Sequence, residues 1–255
     1  MNIYKVAMHT IIRKEITRFL RIWQQTLLPP VITTVLYFII FGNLLGSRIQ
    51  NMNGIKYIAF ITPGLIMMSV ITSSYANVVA SFYGSKFQKS IEEILISPTP
   101  PWIIVFSYMI GGITRGIIVG LLVTIFSLFF TTIHLEHFFI VLVFFILTAT
   151  VFSLAGLLNA IFAKKFDDTA IVPTFILTPL TYLGGVFYSV SVLPPIWQII
   201  SKINPILYMV NGFRYGFLGI TDFNIYSGLA ILVILSITLF QINTTLIKKG
   251  IGLRS

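Results

Sequence analysis

Phe82-Tyr83-Gly84-Ser85-Lys86-Phe87-Gln88-Lys89-Ser90-Ile91-Glu92-Glu93-Ile94-Leu95-Ile96-Ser97-Pro98 separates two long apolar runs. Ser85, with Gln88 three residues on, has the form of a capping box, in which the two side chains satisfy backbone amides at a helix start. Phe87, Ile91, Ile94 and Leu95 then share one helical face, and Lys86, Lys89, Ser90 and Glu93 take the other. Ser97-Pro98-Thr99-Pro100-Pro101 stops the helix, because proline has no amide and holds the preceding residue out of helical geometry. The spacing therefore predicts a short amphipathic helix over 85–96, lying across the mouth of a membrane protein. Two of the seven acidic residues, Glu92 and Glu93, fall on it. It is either a solvated loop helix or a docking surface for another subunit.

Composition sets the surroundings of that stretch. Of 255 residues, 56% are hydrophobic and only 9% charged, whereas soluble domains run near 25% charged. Apolar runs of about 20 residues recur, each long enough to cross a hydrocarbon core of about 30 Å. No polar block interrupts them, so residues 1–255 read as one membrane domain. Cysteine is absent, which excludes disulfides and thiolate metal sites. The net charge of +10 is spread over the ends of the apolar runs, a pattern that fits anionic lipid headgroups and not nucleic acid. The N-terminus lacks the short apolar core of a cleavable signal.

Outward from the opening stretch, six spans follow from the apolar runs: 27–45, 57–79, 103–130, 138–162, 169–188 and 226–246. Residues 1–26 precede them as an amphipathic helix, with Met8, Ile12, Ile16, Phe19 and Trp23 on an apolar stripe and Lys14, Arg18 and Arg21 on a basic one. Such a helix lies in the interface plane with its cations towards headgroups, or braces the 85–96 helix. Asp168 is placed to cap the fifth span by accepting from its first-turn amides. Residues 189–219 are apolar, too short to cross and cut by Pro194-Pro195 and Pro205. They read as two short helices dipping in from the outer side and turning near Asn204-Pro205, because broken backbone at membrane depth survives only inside protein or beside a water-filled cavity. A plain interfacial loop is the alternative. Twelve Lys and Arg fall on the ends assigned inside against four (Arg48, Lys56, Lys202 and Arg214) assigned outside, a bias that sets both termini in the cytoplasm.

Several motifs, in order, carry a resemblance. Asn204-Pro205-Ile206-Leu207-Tyr208, Gly212-Phe213-Arg214 and Gly216-Phe217-Leu218-Gly219 resemble the C-terminal signature of ABC-2 type permeases, and Glu92-Glu93-Ile94-Leu95 with Ser97-Pro98 resembles that family's cytoplasmic helix. Phe41-Gly42 and Pro63-Gly64 extend the likeness over essentially the whole chain, and 173–188 is similar to the YadH-like inner-membrane subgroup. The resemblance implies an all-α, six-span fold of the ABC-2 (type V exporter-like) kind, in the inner membrane of a bacterium. It implies a half-transporter that pairs with a second copy and is driven by a separate ABC ATPase dimer. It also implies that 85–96 is the coupling helix seated in a groove on that ATPase, with Glu92 and Glu93 as contacts and Lys86, Phe87, Gln88 and Lys89 beside them. No cofactor is expected on this chain, ATP and magnesium belonging to the partner. The residues agree independently, since no G-x-x-x-x-G-K-[ST] phosphate-binding loop is present.

Arg115 lies within a span, beside glycines at 112, 116 and 120 whose spacing lets helices approach closely. An intramembrane charge marks either a structural partner or a pathway contact for an anionic group. The aromatic residues are mostly interface residues; Tyr182, Phe187, Tyr188, Tyr208 and Tyr215 surround the broken segment and are candidate exceptions, as are Asn204, Pro205 and Arg214. His9, His134 and His137 form no metal set, and no span carries the paired aspartates or zinc helix of a membrane enzyme. A stand-alone secondary transporter is the competing function; it calls for embedded carboxylates that the spans lack. Drug, lipid and polysaccharide-like cargoes all fit the architecture.

Overall fold

The computed structural model describes residues 3–46, 51–52 and 54–253. Arg48 and Arg254, both used in the charge count above, lie outside the described residues. The chain opens with α1 (Ile3–Arg21), α2 (Trp23–Thr26) and α3 (Leu28–Tyr37), the last continuing as a wider π-helix over Phe38–Leu45. A two-residue antiparallel ladder, β1 (Asn51–Met52) with β2 (Ile55–Lys56), is the one sheet among the described residues. Then follow α4 (Tyr57–Phe87), α5 (Ile91–Ile96), α6 (Pro101–Ser127) and α7 (Phe138–Phe162). The chain closes with α8 (Asp168–Val172), a π-turn over Pro173–Leu177, α9 (Thr178–Tyr182), α10 (Pro195–Ile203), α11 (Pro205–Leu218) and α12 (Ile225–Lys249).

Helix α4 is the axis. It is buried on nearly every face, packed between α6, α7 and α11. Pro63 sits inside it without ending it. Gly64 beside it lets a second backbone in: a Cβ there would stand 2.7 Å from the Val186 carbonyl oxygen. On α6, Gly112, Gly116 and Gly120 face Ser153, Ser74 and Phe145, so the four-residue glycine repeat seats α6 against α4 and α7.

Among the described residues five helical segments are long and apolar enough to cross a membrane: Trp23–Gly42, Tyr57–Phe87, Pro101–Ser127, Phe138–Phe162 and Ile225–Lys249. The expected span over 169–188 is shorter. It is helical only from Asp168 to Tyr182, about 22 Å at 1.5 Å per residue, and non-helical 183–187 completes its course along α4, from Lys86, which donates to the Ala163 carbonyl, to Tyr57, which donates to that of Phe187. Pro173 and Pro179 each remove an amide from its ladder, the first opening the π-turn, and Gly185 at φ +73° ends the run.

Three local readings are corrected. No helix starts at Ser85. Helix α4 runs on to Phe87, because the Ser85 hydroxyl is buried in tertiary contacts, accepting from Lys14 Nζ at 3.2 Å and Tyr108 Oη at 3.5 Å. The break comes at Lys89, whose φ of 59° is left-handed, and α5 spans only Ile91–Ile96. Asp168 does not cap α8; its Oδ2 accepts from the amides of Lys164 (2.8 Å) and Lys165 (2.9 Å), closing the preceding turn. Those two amides hold its carboxyl below the usual range, Lys165 first. Arg214 is no exposed outer charge: it is buried within α11.

Candidate functional site

Along α4 a ribbon of small polar residues recurs every fourth position: Ser69, Ser73, Asn77, Ser81 and Ser85, all buried. Four-residue spacing puts them on one face, and the N-terminal segment lies on it. Thr34 and Ser69 hydroxyls meet at 2.8 Å. Arg18 Nη2 donates to the Asn77 carbonyl (3.0 Å) and Oδ1 (2.8 Å), and Ser81 Oγ donates to Glu15 Oε1 at 2.7 Å. Glu15 and Arg18 pair at 3.7 Å. Burial pushes the Glu15 carboxyl above its ordinary 4.5, against the opposing pull of the Ser81 hydroxyl and of Arg18 and Lys14.

Helix α1 thus buries Ile11, Glu15 and Phe19 most deeply; of the stripe read from the sequence Phe19 is on that line, Met8, Ile12 and Ile16 are half-buried along its edge, and Trp23 lies outside it. Arg18 turns inward onto α4 and Lys14, though exposed, reaches Ser85, while Arg13 and Arg21 are exposed and Trp23 is half-exposed. The brace that α1 provides runs to Ser85 at the end of α4, through Lys14, and Ile11 of α1 shares the apolar cluster that holds Ile91 of α5. Glu15 was overlooked in the sequence. Its signal was there: a lone carboxylate among five cations, midway between Ile11 and Phe19 at four-residue spacing.

At the far end of α4, Lys86 Nζ donates to the Ile161 (2.9 Å) and Ala163 (2.7 Å) carbonyls and so caps the C-terminus of α7. Beyond the Lys89 elbow, Ile91 is anchored in an apolar cluster with Ile11, Phe82, Tyr108, Ile161, Ile247 and Leu253. Glu92, Glu93, Gln88 and Lys89 face outward, and Phe87 (76%) and Ile96 (85%) are among the most exposed apolar side chains. Of the six residues assigned to this surface, Lys86 alone is turned inward.

Residues 6–218 match the family model for the ABC-2 type transporter. The chain belongs to the ABC-2 transporter family. It is 57% identical, over all 255 residues of both chains, to the inner membrane transport permease YadH of Escherichia coli K12. It is also 24% identical over 216 residues to nodulation protein J of Rhizobium leguminosarum bv. viciae, covering 84% of this chain and 83% of that one. The family is one of transport permease subunits, which normally work with an ATPase partner and are not enzymes in themselves.

The remaining candidates on this ABC-2 chain divide into two groups. Arg214 is wedged between α4, α11 and the 183–189 turn. Its Nη2 donates to the Gly185 carbonyl (2.7 Å), its Nε to that of Phe60 (3.3 Å), and its guanidinium lies 3.9 Å from the Phe60 ring centroid. Asn204 caps α11, accepting from the Ile206 amide at 3.0 Å and donating to the Leu180 carbonyl at 2.6 Å, with Pro205 at the first helical position. Tyr208 donates to the Lys202 carbonyl at 2.9 Å and so ties α10 to α11. These three hold the broken segment together. Tyr37, Phe41, Tyr182 and Phe187 form one aromatic cluster, with the Tyr37 and Tyr182 hydroxyls 3.0 Å apart and Phe41 and Phe187 at 4.7 Å. Tyr188 is half-buried beside this cluster in sequence, and Tyr215 instead stacks on His137 at 4.8 Å. Arg115 stands apart from both groups. It is buried in α6, and its Nη2 donates to the Thr26 carbonyl at 2.8 Å.

Proposed function

We propose that this chain is the membrane subunit of an ATP-driven exporter in the bacterial inner membrane. Two identical copies form the pathway, and each takes its drive from a separate ATPase through the 87–96 segment. The observation that carries the reading is the elbow at Lys89. It turns α5 across the end of α4, sinks Ile91 into the apolar cluster and leaves Glu92, Glu93 and Ile96 facing away from the protein body. A short helix anchored by one buried residue and carrying two free-standing carboxylates suits a partner with a basic groove. Lys86 then acts on the transmitting side, tying that lever to the end of α7. The Lys and Arg bias supports a cytoplasmic address for α5 and both termini.

A secondary transporter would couple through a carboxylate open to its pathway. Among the described residues the one buried carboxylate is Glu15, and it is held by Ser81 and Arg18. That favours the ATPase-driven reading. Its cargo is amphipathic, with drug, lipid and polysaccharide-like molecules in range. The test is the double variant Glu92→Lys, Glu93→Lys. Recovery of the ATPase with the purified permease should fall about tenfold, the loss expected for reversing rim charges, while the permease still inserts and dimerises. Undiminished ATPase recovery refutes the assignment.

A further inference from the structure

We infer that the cavity between α3, α4 and α6 binds the oxyanion head of a phosphate-bearing amphiphile, with Arg115 as its charge anchor. The cavity measures about 320 Å³ and is lined by Arg115, Ser73, Thr33 and Thr72 on its polar side and by Pro30 and Met68 on its apolar side. Arg115 is 8% exposed, and beyond the bond from Nη2 to Thr26 its Nε has no partner. Ser73, 1% exposed, likewise has an unpartnered hydroxyl. Both residues line the cavity, and each carries a buried donor without an acceptor, one of them on a cation. Leaving a charged donor desolvated and unpaired is costly, and an oxyanion drawn in beside Arg115 and Ser73 supplies the missing acceptor.

Local charge points the same way. Among the described residues the only ion pair within 4 Å joins Arg18 to Glu15, so no carboxylate neutralises Arg115. The other charge acting on Arg115 is Arg18, a second cation, which Glu15 offsets. The field in the cavity is therefore positive, and the hydroxyls of Ser73 and Thr33 add donors for the further oxygens of a phosphate. Size and lining argue for an amphiphile over a bare ion. At about 30 Å³ per liquid water the space holds roughly ten waters, more than a phosphate fills. Leu28, Ile32 and Leu36 of α3, all exposed, run past the Thr33 mouth and offer a track for an alkyl chain. That the head sits at headgroup depth rests on reading α1 as an interfacial helix; the charge and donor geometry do not.

The experiment uses the purified full-length permease in neutral detergent, without ATPase, and measures displacement of a fluorescent phosphatidylglycerol. Competitors are dioctanoyl phosphatidylglycerol, dioctanoyl phosphatidylcholine and inorganic phosphate. The anionic lipid should displace the probe at about tenfold lower concentration than the zwitterionic one, the gain from one charge-assisted bond, and phosphate should compete more weakly than either. R115Q should weaken the anionic lipid about tenfold, whereas R115K should keep the preference for it. Because R115Q also loses the tie to Thr26, T33F is the second variant: it fills the mouth from an exposed position and leaves Arg115 untouched. Equal binding of the two lipids, or a T33F protein that binds like the parent, overturns the site. Phosphate competing as well as the anionic lipid overturns the amphiphile. This binding and the ATPase recovery above fail separately, so the two readings are tested independently.

Discussion

Replacing Arg18 with methionine probes the buried seam between α1 and α4. Methionine keeps most of the aliphatic stem and removes the cation, leaving the Glu15 carboxylate, 0% exposed, with the Ser81 hydroxyl as its partner. Arg18 is itself 27% exposed, so the pair counts as mostly buried, and breaking such a pair costs about 3–5 kcal/mol. For a chain of this size that corresponds to a fall in Tm of about 6–20 °C. The assay is thermal unfolding of the purified permease in mild detergent. The double variant E15Q/R18M removes the stranded charge and keeps a hydrogen-bond acceptor for Ser81, so it should recover about half of the loss or more. The pH dependence supplies a sign. Burial already raises the Glu15 carboxyl above 4.5 in the folded protein, so the folded state binds that proton more tightly than the unfolded one. Stability on this account is greatest below 4.5 and declines as pH rises through the raised value. Loss of Arg18, which opposes the rise, widens that window, and R18M should regain stability on acidification from neutral pH while E15Q/R18M does not. An R18M protein melting with the parent, or a double variant as unstable as R18M, refutes the argument.

Two further perturbations test the packing. Arg214→Met withdraws donors from the Phe60 and Gly185 carbonyls and the cation from the Phe60 ring, at about 3 kcal/mol or more; a lower Tm, only partly restored by lysine, is expected. Gly116→Leu drives a side chain into Ser74 of α4, and overpacking of about 1–3 kcal/mol should appear as a lower Tm and poor recovery of folded permease; a variant that melts with the parent would show that α6 can shift aside.

The long helices were legible because apolar runs of span length have few alternatives: the fourth expected span and α7 share the bounds Phe138–Phe162. The glycine repeat on α6 was legible for the same reason, as a steric statement that needs no knowledge of the partner. What escaped were decisions made by tertiary contact. The Ser85–Gln88 pattern has the local form of a helix start, yet Lys14 and Tyr108 claim the Ser85 hydroxyl and α4 runs straight through. The most buried line of α1 is displaced from its hydrophobic stripe towards Ile11 and Glu15, because a buried carboxylate does not register as apolar, and Glu15 is acceptable inside only because α4 supplies Ser81 and positions Arg18 through Asn77. The run over 169–188 has span-like composition, but its prolines act on the hydrogen-bond ladder, which composition does not count.

The tail of the chain shares its seat with α5. Ile247 and Leu253 pack in the cluster that holds Ile91, and a Cβ on Gly252 would meet the Ile161 carbonyl oxygen that Lys86 already caps. A fluorescent or affinity fusion joined directly after the last residues therefore pulls on the hinge it was meant to report. A label for activity measurements belongs ahead of α1, where Ile3 is exposed, or behind a long flexible spacer after Leu253.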